Sequence, residues 1–227
     1  MKRIILAIVA ATFVSIGWGM LSWMVLPWHT ATMRTMATPQ AEVAVKSVLQ
    51  QQIQKPGVYY FPAMPDADAT EAEWSAYQRA HLAGPTGMIY IDTEGSEVMP
   101  SSMLVKGNLT DLACVILVAL LVLAAGERLA SVGSRMLFII GLGLLVALGG
   151  DVRMMIWMRI PADFALTNAA DQVVRALLIS IPLALLLPRG KSTAEAGDGD
   201  SRVPTPDGKN AVARADADAS DAATPGA

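Results

Sequence analysis

Residues 4–28 read IILAIVAATFVSIGWGMLSWMVLPW, and this stretch decides the fold. It carries no charged side chain. At about 1.5 Å per helical residue it is long enough to cross the ~30 Å hydrocarbon layer with some tilt. Lys2 and Arg3 precede it, and Trp18, Trp23 and Trp28 gather in its second half. A helix in lipid satisfies its own backbone hydrogen bonds, which water is not there to do. A secretory signal peptide also starts with basic residues, but its apolar core is only about 7–15 residues long and ends in a small-residue cleavage site. Here the run is longer and ends in Leu26-Pro27-Trp28-His29, so it is read as an uncleaved anchor.

Working outward, the chain has 227 residues, of which 53% are hydrophobic and 16% charged. Soluble domains are nearer 25% charged, so the composition is that of a membrane protein. A formal net charge of -3 gives no reason to expect nucleic acid. With Cys114 the only cysteine, an intramolecular disulfide is excluded.

After Pro27 the chain turns polar. Thr38-Pro39 reads as an N-cap with proline in the first helical position, and apolar residues from Ala41 to Ile53 recur at helical spacing. Pro56 should stop that helix, and Val58–Phe61 is a strand candidate. Thr70-Glu71-Ala72-Glu73 announces a second helix through a capping box. Met88–Ile91 then reads as a strand, with a turn leading to a hairpin partner at Val98 and Met99. Three further apolar runs follow, Leu112–Gly126, Met136–Gly150 and Val173–Leu187, the last containing Pro182. Each is shorter than the ~20 residues of a full crossing, so flanking residues must complete the spans.

The sequence therefore predicts a mainly α membrane protein with four transmembrane helices and a small extracytoplasmic α+β insert between helices 1 and 2. Residues 1–28 form the first helix and signal anchor, 29–108 the insert, 109–188 a three-helix transmembrane region, and 189–227 a disordered cytoplasmic tail. With the N-terminus inside, Lys2, Arg3, Arg128, Arg135, Arg189 and Lys191 lie on the cytoplasmic side, against Arg34, Lys106, Arg153 and Arg159 outside. That bias predicts a multi-pass protein of a bacterial inner membrane, with both termini cytoplasmic and the insert periplasmic.

Asp151 and Arg153 close the third apolar run, and Asp171 and Arg175 open the fourth. In an up-down bundle these ends share one side, and intramembrane charges usually pair. The cluster is read first as an interhelical staple, for instance Asp151 with Arg175, and second as a polar site for a substrate or proton. Leu148-Gly149-Gly150-Asp151 resembles the Gly-x-Gly-Asp motif of intramembrane aspartyl proteases over four residues, with the first glycine absent. That resemblance implies an aspartate dyad of Asp151 and Asp171.

His29, Met33 and Met36 fall at i, i+4 and i+7 on a continued first helix, a soft set suited to copper(I). In a chain with 13 methionines, interfacial packing is the preferred reading, and no metal or cofactor is expected. Trp74, Tyr77 and His81 share a helix face and are read as packing against Tyr59, Tyr60 and Phe61, with partner docking as the alternative. Trp23, Trp28 and Trp157 read as interfacial anchors. The chain lacks a Gly-x-Ser-x-Gly elbow, a phosphate-binding glycine loop and a His-Glu-x-x-His motif. The expected function is a non-enzymatic membrane protein whose insert binds another membrane or periplasmic protein, or a second copy of the chain. The alternative is a subunit of an oligomeric transporter or channel using Asp151, Arg153, Asp171 and Arg175, and an intramembrane enzyme ranks third.

Overall fold

The computed structural model of the chain describes residues 1–188, so the tail expected to be disordered lies outside the described residues. Helix α1 spans Lys2–Met20 and continues through a wide π turn, Leu21–Val25, before Leu26 becomes extended and Pro27 ends it. The insert holds helix α2 (Pro39–Gln52), strand β1 (Gly57–Phe61), helix α3 (Glu71–Ala83) and strand β2 (Gly87–Ile91). The remaining helices are α4 (Ser101–Ala125), α5 (Val132–Ala147), a short α6 (Arg153–Trp157) and α7 (Ala162–Leu186). A second π turn, Leu148–Val152, joins α5 to α6.

Among the described residues, four helical stretches are long and apolar enough to cross a membrane: Lys2–Val25, Ser101–Leu129, Val132–Trp157 and Ala162–Leu186. The short apolar runs are thus completed by flanking polar residues. Helix α4 starts well before Leu112, and α7 takes in Asp163, Asp171 and Arg175.

Helices α1 and α7 pack together, and each buries small residues. Ala7, Ala11 and Ser15 form the buried stripe of α1, and Ala165, Ala169, Ala176, Ser180 and Ala184 are buried on α7. Small side chains let backbones approach closely where lipid offers no hydrophobic drive between helices. The apolar core (Ala7, Ala11, Val115, Ala119, Val122, Ile139, Ile179, Leu183 and Leu187) draws on the start of α1 and α5 and the end of α4 and α7. Neighbours therefore run antiparallel, and this core fills one half of the bundle. The closest approach joins α5 to α7 at Gly143, where an added Cβ would collide with that of Ala176 and lie 3.3 Å from the carbonyl oxygen of Gln172. Gly143→Ala is expected to cost about 1–3 kcal/mol by pushing α5 off α7, read as a lower unfolding midpoint of the detergent-solubilised chain.

In the insert, the side chain of Thr38 accepts from the N–H of Ala41 and Pro39 takes the first position of α2. The capping box of α3 also forms. Glu73 accepts from the Thr70 N–H at 2.7 Å and the Thr70 hydroxyl at 2.8 Å, while the Glu73 N–H donates back to Thr70. The Thr70 backbone N–H, followed by its hydroxyl, holds the Glu73 carboxyl below its ordinary value. Since the folded value is the lower one, the cap is fully present above the unfolded value and is lost as pH falls through the folded one. Carbon chemical shifts at Glu71–Trp74 should lose helical character over that acid window, and Glu73→Gln should flatten the dependence.

Strands β1 and β2 pair antiparallel, from Gly57 opposite Ile91 to Phe61 opposite Gly87. The expected hairpin of Met88–Ile91 with Val98–Met99 does not form. Pro100 caps α4 immediately afterwards, so residues 98–99 are drawn into the approach to that helix and β2 reaches back across α3 to β1. Gly87 permits the pairing, because a Cβ there would stand 2.8 Å from the Phe61 ring.

Candidate functional site

The half of the bundle nearest the insert is polar. Helix α1 and its π turn set Trp18 and Ser22 one turn apart, and the reversal at Leu26–Pro27 folds Trp28 and His29 back onto Ser22. Across from them α7 presents Asp171, which is 3% exposed, while Ser22 and His29 are 0% exposed. Trp18 Nε1 donates to Asp171 Oδ1 at 2.6 Å, and the Ser22 hydroxyl donates to the same oxygen at 2.8 Å. Trp28 Nε1 donates to Ser22 Oγ at 3.1 Å, and His29 Nε2 lies 3.1 Å from that oxygen. His29 Nε2 is 3.9 Å from Asp171 Oδ2. Trp23 stacks on the imidazole with centroids 3.9 Å apart and planes 9° from parallel.

Hydrogen counting fixes the tautomer. Ser22 has one hydrogen, given to Asp171, so its lone pairs must accept from Trp28 and from His29, and Nε2 carries the imidazole hydrogen. His29 Nδ1 is then a bare acceptor, buried and without a partner. The residue types match a hydrolase triad, but the order does not. There the histidine stands between serine and carboxylate, whereas here the serine occupies the middle and spends its proton on the acid.

A second pair lies beside this network. Arg175 Nη1 donates to Asp111 Oδ1 of α4 at 2.9 Å, with both side chains about a quarter exposed or less. Gly19 of α1 makes room for the guanidinium, since a Cβ there would lie 3.7 Å from Arg175 Nη2. The four residues singled out from sequence therefore divide. Arg175 is held by Asp111 of α4 rather than by Asp151, which corrects the expected staple. Asp171 belongs to the Trp18–Ser22–His29 network. Asp151 sits in the second π turn, which packs against α7, but no hydrogen bond joins it to Asp171 among the described residues. Arg153 is exposed.

His29, Met33 and Met36 do not share a helix face, because the helix ends at Val25 and His29 turns inward. Met33 and Met36 are 49% and 53% exposed. Among the described residues no three histidine, cysteine, aspartate or glutamate side chains gather where they could hold a metal. On α3, Trp74 and Tyr77 meet edge to face at 6.0 Å and Tyr77 and His81 lie 5.6 Å apart, so their ring contacts are with one another rather than with Tyr59, Tyr60 or Phe61. Tyr77, His81 and Leu82 line a shallow hollow of about 320 Å³. A larger cleft, about 620 Å³, opens between α2 and the end of β2, lined by Val45, Leu49, Ile53 and Ile91. Trp157 is exposed, whereas Trp28 is drawn into the polar network.

Trp18, Ser22 and Asp111 went unrecognised in the sequence. Ser22 lies four residues after Trp18 on one helix face, and Asp111 is a lone acid at the edge of an apolar run, so both left a readable mark. No family model, curated protein or solved structure matches the chain.

Proposed function

We propose that this is a non-enzymatic multi-pass membrane protein whose insert docks a second protein. The supporting observation is that no residue from Thr30 to Cys114 is buried. The insert has secondary structure and caps but no interior. Val48 is 57% exposed, Tyr90 63% and Leu82 88%, and the pairing of β1 with β2 is a two-stranded sheet of marginal stability by itself. Such a segment gains stability by laying its apolar surface against something else. The lysine and arginine bias supports an inner-membrane placement, with both termini cytoplasmic and the insert outside.

A photo-reactive side chain placed at Tyr77, or at Val48 beside the α2 cleft, should give one discrete adduct in intact membranes. Absence of any adduct from both positions would overturn the docking reading. A reporter fused at residue 70 should be active only outside the cytoplasm, and cytoplasmic activity would reverse the sidedness.

A further inference from the structure

We propose that His29, Ser22 and Asp171 form a buried proton-binding site where the bundle meets the insert. The argument starts from charge. With His29 neutral, Asp171 is a buried carboxylate whose two hydrogen bonds both come from uncharged donors, Trp18 and Ser22. The cation nearest along α7, Arg175, is already engaged by Asp111. Asp151 lies in the π turn after α5, which packs against α7, and Arg153 at the head of α6 is exposed. The network thus carries one uncompensated negative charge in a region water does not reach, an arrangement that favours uptake of a proton.

The geometry also says where the proton goes. His29 Nδ1 is buried and has no hydrogen-bond partner, so it is the vacant basic position. A proton added there makes an imidazolium 3.9 Å from Asp171 Oδ2, lying flat on the Trp23 indole. Both contacts stabilise a cation. Ser22 bridges His29 and Asp171, so the same added proton has a second resting place. His29 Nε2 passes its hydrogen to Ser22 Oγ, and Ser22 passes its own to Asp171. Nδ1 keeps the newcomer, leaving a neutral imidazole and a neutral acid. One proton is taken up in either arrangement, and nothing is oxidised or reduced.

His29 opens the insert, and Arg34 a few residues on donates to Asp163 of α7 at 2.8 Å. In its ionic form, the protonated site adds to this pair a second tie between α7 and the first residues of the insert.

The test uses the full chain in micelles with its histidine ring nitrogens labelled with 15N. The sequence has only two histidines, and His81→Gln leaves a single signal. At alkaline pH, His29 should be the Nε2–H tautomer with bare Nδ1, and acidification should protonate Nδ1 in one step. Asp171→Asn should lower the midpoint, because it removes the opposite charge beside the imidazole. Ser22→Ala keeps both charges and guards against misfolding of the first variant. It should leave the midpoint in place, because the charge pair is untouched, while abolishing the tautomer preference. A hydrogen on Nδ1 already at alkaline pH, or an unmoved midpoint in Asp171→Asn with a native amide spectrum, would overturn the site.

Discussion

Asp111→Asn is expected to destabilise the bundle by about 3 kcal/mol, the lower end of the range for breaking a buried ion pair, because it strands the Arg175 guanidinium between α1, α4 and α7. The lower end applies because both side chains keep roughly a fifth to a quarter of their surface accessible. Arg175 has no second anion at hydrogen-bonding distance among the described residues, and its Nε is already without a partner, so the loss has no local remedy. Arg175→Met leaves Asp111 equally stranded and should cost a similar amount. The double variant Asp111→Leu with Arg175→Met should recover most of the loss, since removing both charges leaves neither unpaired. Unfolding of the detergent-solubilised chain by a denaturing detergent gives all three values. Additive losses in the double variant would show that Asp111 and Arg175 do not act as a pair.

Arg135→Met should cost more, about 3–5 kcal/mol. Arg135 is 2% exposed, and it closes the opposite, apolar end of the bundle. Its Nε donates to the Leu129 carbonyl at 2.9 Å, Nη1 to that of Leu187 at 2.8 Å, and Nη2 to that of Pro188 at 2.9 Å. Two of those carbonyls belong to the end of α7, where the helix leaves acceptors without intrahelical donors and where its dipole favours a cation. Each buried acceptor left unsatisfied costs about 1–3 kcal/mol. Lysine keeps the charge but not the planar fork, so Arg135→Lys should recover less than half of the loss. Equal stability of the lysine variant and wild type in the same assay would show that charge alone matters there.

The elements set by local chemistry were legible in the sequence. Thr38-Pro39 and Thr70–Glu73 act within one turn, so their caps could be read directly, and the spans followed from long uncharged stretches. What escaped depends on which helix faces which. Arg175 lies one helical turn from Asp171, yet its partner is Asp111, reached because α4 and α7 both pack on α1. The π turns were equally invisible, since a widened turn is an extra residue in the hydrogen-bond ladder with no residue signature of its own. One of them carries Ser22, which stands at the centre of the polar network. The small-residue stripe Ala7–Ala11–Ser15 is legible from its four-residue spacing. Glycines in the spans are a poorer guide, since Gly143 packs tightly whereas Gly17 and Gly141 face open space.

The hollow character of residues 30–114 bears on how this stretch changes over evolutionary time. Ordinary domains police their own sequences, because a poor substitution in the interior unfolds them. Here that internal censor is missing, so drift in the insert is answerable to whatever surface it meets. Related chains should keep the bundle and let the insert follow its neighbour.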